Sequence, residues 1–318
     1  MKLLSMRVEN QNLAGIVIGG EALEASGFLN SQDGKAAIIQ TPAGPATRDY
    51  AADPLKDALD LYLLGEANLR AITSQINGDA GLADKCRAAG LLRPLSEIRL
   101  NHPVVAPGKI LAVGLNYAAH AAEQNAKPPE TPLIFSKNVT ALIGHGDSIR
   151  LPRISDRIDY EAELALVIGK RARSVSADRA LDHVAGYTIM NDVTARDLQS
   201  RERQWARAKG LDTFAPCGPW LVTKDEIPDP HSLEIALRVN GEIRQRSNTN
   251  DLIFKVPQII EFVSQDLTLM PGDIISTGTP SGVGIYRQPP VFLKAGDEIE
   301  IEVERIGTLR NVVAGIGG

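Results

Sequence analysis

Asp159-Tyr160-Glu161-Ala162-Glu163-Leu164-Ala165-Leu166-Val167-Ile168 is an apolar strand that opens on carboxylates. Its second half is a short unbroken apolar run, the pattern of a buried strand. Side chains two apart in a strand share a face, so Glu161 and Glu163 point the same way. Two acids held side by side at the head of a buried strand repel each other and lose hydration. A cation, exposure to water or protonation of one acid each relieves this. On this segment alone, two solvated glutamates and a metal site are equally good readings.

A second strand shifts the balance. Gly186-Tyr187-Thr188-Ile189-Met190-Asn191-Asp192 is apolar and ends in an acid. The following Val193-Thr194-Ala195-Arg196-Asp197-Leu198-Gln199 reads as a helix opening, with Thr194 or Asp192 able to cap it. If Glu161, Glu163 and Asp192 converge, they form an all-oxygen site suited to Mg²⁺, Mn²⁺ or Ca²⁺.

Around these strands, short apolar runs alternate with Gly, Pro and Asp breaks from Ile98 onward. Strands are expected at Ile110–Gly114, Leu133–Ser136, Ala162–Ile168, His183–Asn191, Leu221–Val222, Leu233–Val239, Asp273–Thr277 and Glu298–Ile306. Helices are expected over Tyr117–Asn125, Ala195–Lys209 and Pro257–Ser264. Many strands and few helices make a β-rich α+β fold, as two sheets or a roll. The first hundred residues differ. They offer strands at Leu3–Val8 and Ala14–Ile18, one or two helices within Asp53–Ile76, and no histidine. The expected division is an accessory domain over residues 1–100 and a main domain over 101–318, joined by Arg99-Leu100-Asn101-His102-Pro103.

Composition narrows the function. A chain of 318 residues has room for about two domains. Lys and Arg number 34 against 39 Asp and Glu, a net charge of −5, which argues against nucleic acid and polybasic membrane contacts as partners. Two cysteines build neither a disulfide framework nor a Cys-rich zinc site. No apolar run is long enough to span a membrane and no secretory signal is visible, so a cytoplasmic location is expected.

Other segments carry chemistry-bearing residues. In Gly114-Leu115-Asn116-Tyr117-Ala118-Ala119-His120-Ala121-Ala122-Glu123, His120 and Glu123 are neighbours on one helical face. A carboxylate beside an imidazole orients it as a base, although a surface pair has the same spacing. Arg196, Arg201, Arg203, Arg207 and Lys209 follow the second strand. Three acids with one divalent ion remain negative, so an anionic substrate needs cations nearby, and Lys137 and Lys209 are the nearest in sequence terms. Gly278-Thr279-Pro280-Ser281-Gly282-Val283-Gly284 is neither a dinucleotide fingerprint nor a P-loop. It is either a tight turn or a loop whose N–H groups, with the Thr279 hydroxyl, hold a carboxylate.

Four segments in order resemble the fumarylacetoacetate hydrolase superfamily: Val113–Glu123, Asp159–Leu164, Asn191–Gln199 and Ser276–Gly284. The resemblance covers about residues 105 to 315. It implies a mixed β-sandwich roll for the main domain, a smaller N-terminal α+β domain and a homodimer. It further implies a divalent ion, commonly Mg²⁺, on Glu161, Glu163 and Asp192, with His120 as base oriented by Glu123. Lys209 falls at a catalytic lysine, Gln199 at an oxyanion partner, and Lys137, Gly278 and Thr279 at substrate contacts. Asp159 belongs behind the ligands. One departure is Asn138 after Lys137, where many members have proline. The expected substrate is a small anionic 2-oxo acid. The expected reaction is hydrolysis of a carbon–carbon bond in an acylpyruvate-type 2,4-dioxo acid, with isomerisation or decarboxylation of related diacids as alternatives. A non-catalytic metal-binding protein is a further alternative, although such a protein has no use for the base.

Overall fold

The computed structural model describes residues 1–8, 11–37 and 54–316. Their contacts divide the chain into two compact units, Met1–Val105 and Ala106–Gly318. The first unit runs past the expected boundary for a physical reason. Arg99–Asn101 is a strand paired with Lys2–Val8. Beyond it, Ser5 Oγ donates to Pro103 O at 3.0 Å and Val105 N donates to Asp57 Oδ2 at 2.8 Å. The segment read as a connector is therefore part of that unit.

In the first unit, antiparallel pairing runs Leu92–Pro94, Glu21–Glu24, Gln11–Ile18, Lys2–Val8. Leu3, Leu4, Ile16, Phe28 and Leu61 lie in its core, fully buried. The helical stretch expected from Asp53 is two helices, Ala58–Leu63 and Glu66–Gly78. Gly65, at φ 90°, makes the break. Asp53 itself lies outside the described residues. Helices Ala25–Asn30 and Ala80–Ala88 add to the set.

The second unit holds the site. One sheet runs in the order Ala215–Thr223, Val184–Asn191, Ala162–Ile168, Ile274–Ser276, Ile110–Gly114, Leu133–Lys137. Another runs Glu242–Asn248, Glu234–Val239, Glu298–Val303, Gly307–Ala314, Ser148–Arg150. The two read differently in burial. Every residue of Ala162–Ile168 and Val184–Asn191 is buried, whereas Glu234–Val239 and Glu298–Val303 alternate buried with less buried positions. Alternation marks a sheet with one face on the core and the other toward water. Gly186 sits where the Val222 carbonyl of the adjacent strand leaves no space for a Cβ.

Register brings four chain segments to one edge of the first sheet. Ala162 lies opposite Asn191 in antiparallel pairing, so Glu161 and Asp192 are neighbours, and Asp192 N donates to Glu161 O at 2.9 Å. Ser276 lies opposite Ala165, also antiparallel. Ser276 pairs in parallel with Ala112, so the exit of Ile110–Gly114 reaches the same edge. Helix Ala118–Glu123 follows that exit. The helix expected over Ala195–Lys209 is two, Arg196–Glu202 and Trp205–Lys209, because Arg203 takes a left-handed conformation at φ 53°. Among the described residues no helix is long and apolar enough to cross a membrane.

Candidate active site

Glu161, Glu163 and Asp192 converge. One carboxylate oxygen from each lies within 4.8 Å of the others, and all three residues are buried. Asp192 is not a helix cap: the helix opens at Arg196 with Ala195 in the capping position. The Asp192 carboxylate instead accepts from Lys137 Nζ at 2.5 Å and from Lys209 Nζ at 2.8 Å.

Glu163, in strand Ala162–Ile168, and Glu161, just before it, are held in opposite states. Burial alone raises the Glu161 carboxyl, but Lys209 and then Arg196 outweigh it and hold it at about 2. Burial, reinforced by the charges of Asp192 and Glu161, pushes Glu163 up to about 8. Ser276 Oγ and Gly278 N donate to Glu163 Oε2 at 2.5 and 2.9 Å, which fixes the side chain without offsetting the repulsion. Four buried carboxylates, Asp159, Glu161, Glu163 and Asp192, thus face three buried cations, Lys137, Arg196 and Lys209. With Glu163 protonated the charges balance, and its ionisation leaves one negative charge where three oxygen donors meet. An all-oxygen donor set that turns negative when Glu163 ionises fits a hard divalent cation, whose binding would displace that proton.

The cations are fixed in turn. Lys209 Nζ donates to Glu161 Oε2 at 2.6 Å, Asp192 Oδ2 at 2.8 Å and Thr194 Oγ1 at 2.8 Å. Arg196 Nε donates to Asp159 Oδ2 at 2.7 Å, and Nη1 donates to Gln199 Oε1 at 3.2 Å. Its Nη2 lies 2.7 Å from Glu161 Oε1, an ion pair whose N–H vectors are not aligned as a hydrogen bond. Because Gln199 accepts through Oε1, its amide N–H groups are the donors it offers a ligand. Asp159 also accepts from Gly284 N at 2.7 Å and Ile285 N at 3.0 Å, tying the loop beyond Gly278 to the head of the glutamate strand.

On the opposite wall, His120 Nδ1 donates to Glu123 Oε2 at 3.0 Å. A carboxylate only accepts, so Nδ1 carries a proton in this contact. His120, Lys209, Gln199 and Thr279 line the same cavity of ≈ 260 Å³ as the three acids. Such a volume suits a small substrate rather than a nucleotide.

Residues 109–314 match the family model described as fumarylacetoacetate (FAA) hydrolase C-terminal. The chain belongs to the fumarylacetoacetate hydrolase family. It is 52% identical over 222 residues to the mitochondrial oxaloacetate tautomerase FAHD2A of Bos taurus, covering 69% of this chain and 71% of that one. A solved 5-carboxymethyl-2-hydroxymuconate delta-isomerase from Mycobacterium smegmatis is 35% identical, with TM-score 0.71 and complete coverage of both chains. The maleylpyruvate hydrolase of Sphingobium sp. SYK-6 is 31% identical, with TM-score 0.70, covering 99% of this chain and 100% of that one. Hydrolases, isomerases and a tautomerase thus share the fumarylacetoacetate hydrolase fold seen here.

Two expected substrate contacts are spent elsewhere. Gly278 N is committed to Glu163, so it is not offered to a substrate carboxylate. Lys137 Nζ meets Asp192, the Val193 carbonyl and the Lys209 carbonyl, three acceptors for its three protons, and it does not line the cavity. Burial, against the pull of Asp192, lowers its pKa. Its role is to hold Asp192. Asn138, the departure from proline, donates through Nδ2 to Gly210 O at 2.7 Å and so ties this strand end to the segment after Lys209. Thr279 does line the cavity, and its hydroxyl accepts from Gln245 Nε2 at 2.8 Å.

Arg196, Gln124 and Tyr286 also line the cavity and carried no role in the sequence reading. Arg196 stood in a basic cluster, but only its burial separates it from solvated Arg201 and Arg207. Gln124 is four residues from His120 on the same helical face, a spacing that was readable. Tyr286 gave no local signal.

Proposed function

We propose that this protein is a divalent-metal-dependent enzyme that moves a proton next to the keto group of a small 2-oxo dicarboxylate, interconverting keto and enol forms of oxaloacetate-type acids. The observation that carries this reading is one cavity holding both a three-acid cluster and a histidine oriented through Nδ1 by a carboxylate. The identity to a named oxaloacetate tautomerase supports it.

Glu161, Glu163 and Asp192 would hold a divalent ion, Mg²⁺ foremost, which would supply Lewis-acid polarisation of the 2-oxo group. His120 Nε2 takes a proton from the carbon beside that group, while Glu123 keeps Nδ1 protonated. The Gln199 amide donates to oxygen as charge grows there, and Lys209, whose three protons lie on Glu161, Asp192 and Thr194, contributes its positive charge. His120 then returns the proton to oxygen, giving the enol, and the reverse order gives the ketone. Arg196 and Lys209 offset the substrate's negative charge.

A second reading is hydrolysis of an acylpyruvate, supported by the 31% identity to a maleylpyruvate hydrolase. There His120 takes its proton from water, whose oxygen bonds the distal carbonyl carbon. The carbon–carbon bond then breaks, its electron pair stays with the departing carbon, and that carbon takes the proton back from His120, releasing a carboxylic acid and pyruvate. Homodimer formation and a cytoplasmic location complete the proposal, to be checked by light scattering and by fractionation; the bovine relative is named as mitochondrial.

The deciding assay follows oxaloacetate and acetylpyruvate side by side by enol absorbance and product analysis, with Mg²⁺ and after chelation. Metal-dependent keto–enol exchange of oxaloacetate without pyruvate supports the tautomerase reading. Acetate with pyruvate from acetylpyruvate supports hydrolysis. Pyruvate from oxaloacetate means decarboxylation. Metal binding with none of these overturns the enzymatic reading on these substrates.

A further inference from the structure

Both ring nitrogens of His120 are occupied from its own helix, and both occupants are anchored by one loop. Nδ1 donates to Glu123 Oε2, and Glu123 Oε1 accepts from Gly282 N at 2.9 Å. On the other side, Gln124 Nε2 lies 2.7 Å from His120 Nε2, and the Tyr286 hydroxyl donates to Gln124 Oε1 at 3.0 Å. Spacings of three and four residues put Glu123 and Gln124 beside the imidazole from the following helical turn. The Tyr286 ring meets the His120 ring edge-on at 6.2 Å between centroids.

We propose that Gln124, aimed by Tyr286, is a positioning residue that holds His120 in the tautomer with Nε2 unprotonated, and that substrate gains the base by displacing this amide. An acceptor at Nδ1 alone does not settle the matter, because a doubly protonated imidazole also donates to Glu123. The amide settles it. With its oxygen taken by the Tyr286 O–H, the side chain turns an N–H toward Nε2, and two donors cannot face each other across 2.7 Å. A proton on Nε2 therefore costs the Gln124 contact, and turning the amide over breaks the Tyr286 hydrogen bond unless the hydroxyl reorients. The arrangement keeps the base loaded for proton abstraction and occupied until a ligand arrives. This rests on the reading of His120 as the base, and its first test does not depend on turnover.

Selective ¹⁵N labelling of the five histidines, with His120→Gln to assign the signal, reports the tautomer directly. In the unaltered protein the Nδ1–H form is expected. Gln124→Glu replaces the N–H by an acceptor and should place a proton on Nε2 while Nδ1 keeps its own on Glu123. Gln124→Met and Tyr286→Phe should give mixed tautomers. In the keto–enol assay, Gln124→Met should lower kcat by about ten- to a hundredfold, as for other residues that orient a functional histidine, with KM within about twofold. An Nε2 that stays unprotonated in Gln124→Glu overturns the inference, whatever the activity. An Nε2 that gains a proton in a protein silent on oxaloacetate upholds it and places the failure in the proposed reaction.

Discussion

In Met1–Val105 the buried polar side chains close the backbone. Asp57 accepts from the amides of Asp60 and Val105, Ser26 Oγ accepts from Leu55 N, and Ser5 Oγ accepts from Ala58 N while donating to Pro103 O. In Ala106–Gly318 seven buried ions, Lys137, Asp159, Glu161, Glu163, Asp192, Arg196 and Lys209, are spent largely on one another beside a cavity. The first use stabilises turns and helix ends. The second costs desolvation that apolar side chains would avoid, and it leaves one carboxyl protonated near neutrality. A buried polar group that satisfies backbone belongs to the fold. A buried cluster of ions that balances only by keeping one carboxyl protonated points to a ligand.

Substitutions should separate these uses. The largest effect is expected from Glu161→Gln, which should remove metal binding and turnover together, the rate falling by more than about a hundredfold. Calorimetric metal titration with the enol assay checks this, and an unchanged rate in chelated buffer breaks the comparison. Arg196→Met leaves Asp159 and Glu161 without a shared cation and should cost about 3–5 kcal/mol in denaturant unfolding, with activity lost as well. Leu3→Ala in the first unit's core should cost about 2–5 kcal/mol with kcat per folded molecule unchanged. If that kcat falls severalfold, the first unit does more than fold.

Acidity gives a finer test. Glu163 sits at about 8 against an ordinary 4.5, so the metal-free native state holds an extra proton between those values. Stability from this group is complete below 4.5 and is lost as pH rises toward about 8. Glu161, held at about 2, works the other way: its contribution is present above 4.5 and is lost as pH falls toward 2. Since the ion displaces the Glu163 proton, metal affinity should climb by up to about tenfold per pH unit below the Glu163 midpoint and then level off. A flat profile from pH 6 to 8 would mean that Glu163 is already ionised. The smallest effect is expected from Asp57→Ala, about 1–2 kcal/mol for a lost helix cap, with metal affinity untouched.

Much of this site was readable before any coordinates. Glu161 and Glu163 share a face by strand geometry, and a charged pair against an apolar run demanded an explanation. The ordered motifs then identified Asp192, His120, Glu123 and Lys209 as one set. What the residues could not show was who holds whom. Lys137 and Lys209 looked alike in sequence, yet one is locked behind Asp192 and the other faces the cavity. Gly278 looked available until its N–H was found on Glu163. Strands Glu242–Asn248 and Gly307–Ala314 went unread because their polar residues are those of a sheet with one wet face. The break at Arg203 went unread because arginine gives no sign of a left-handed turn.

The acids and the cavity wall differ in how freely each can be rewritten. Glu161, Glu163 and Asp192 stand on or beside two paired strands whose register fixes all three, so a slip of one residue would turn the carboxylates away together. Gln124, Gln199 and Tyr286 stand on short helices and a loop, where one side chain can change without shifting a neighbour's register. Descent with modification can therefore keep the charge cluster constant while sampling new walls, one substitution at a time. A library confined to positions 200 and 205 would retrace that route: every variant keeps the three acids, and selection acts on the shape of the wall.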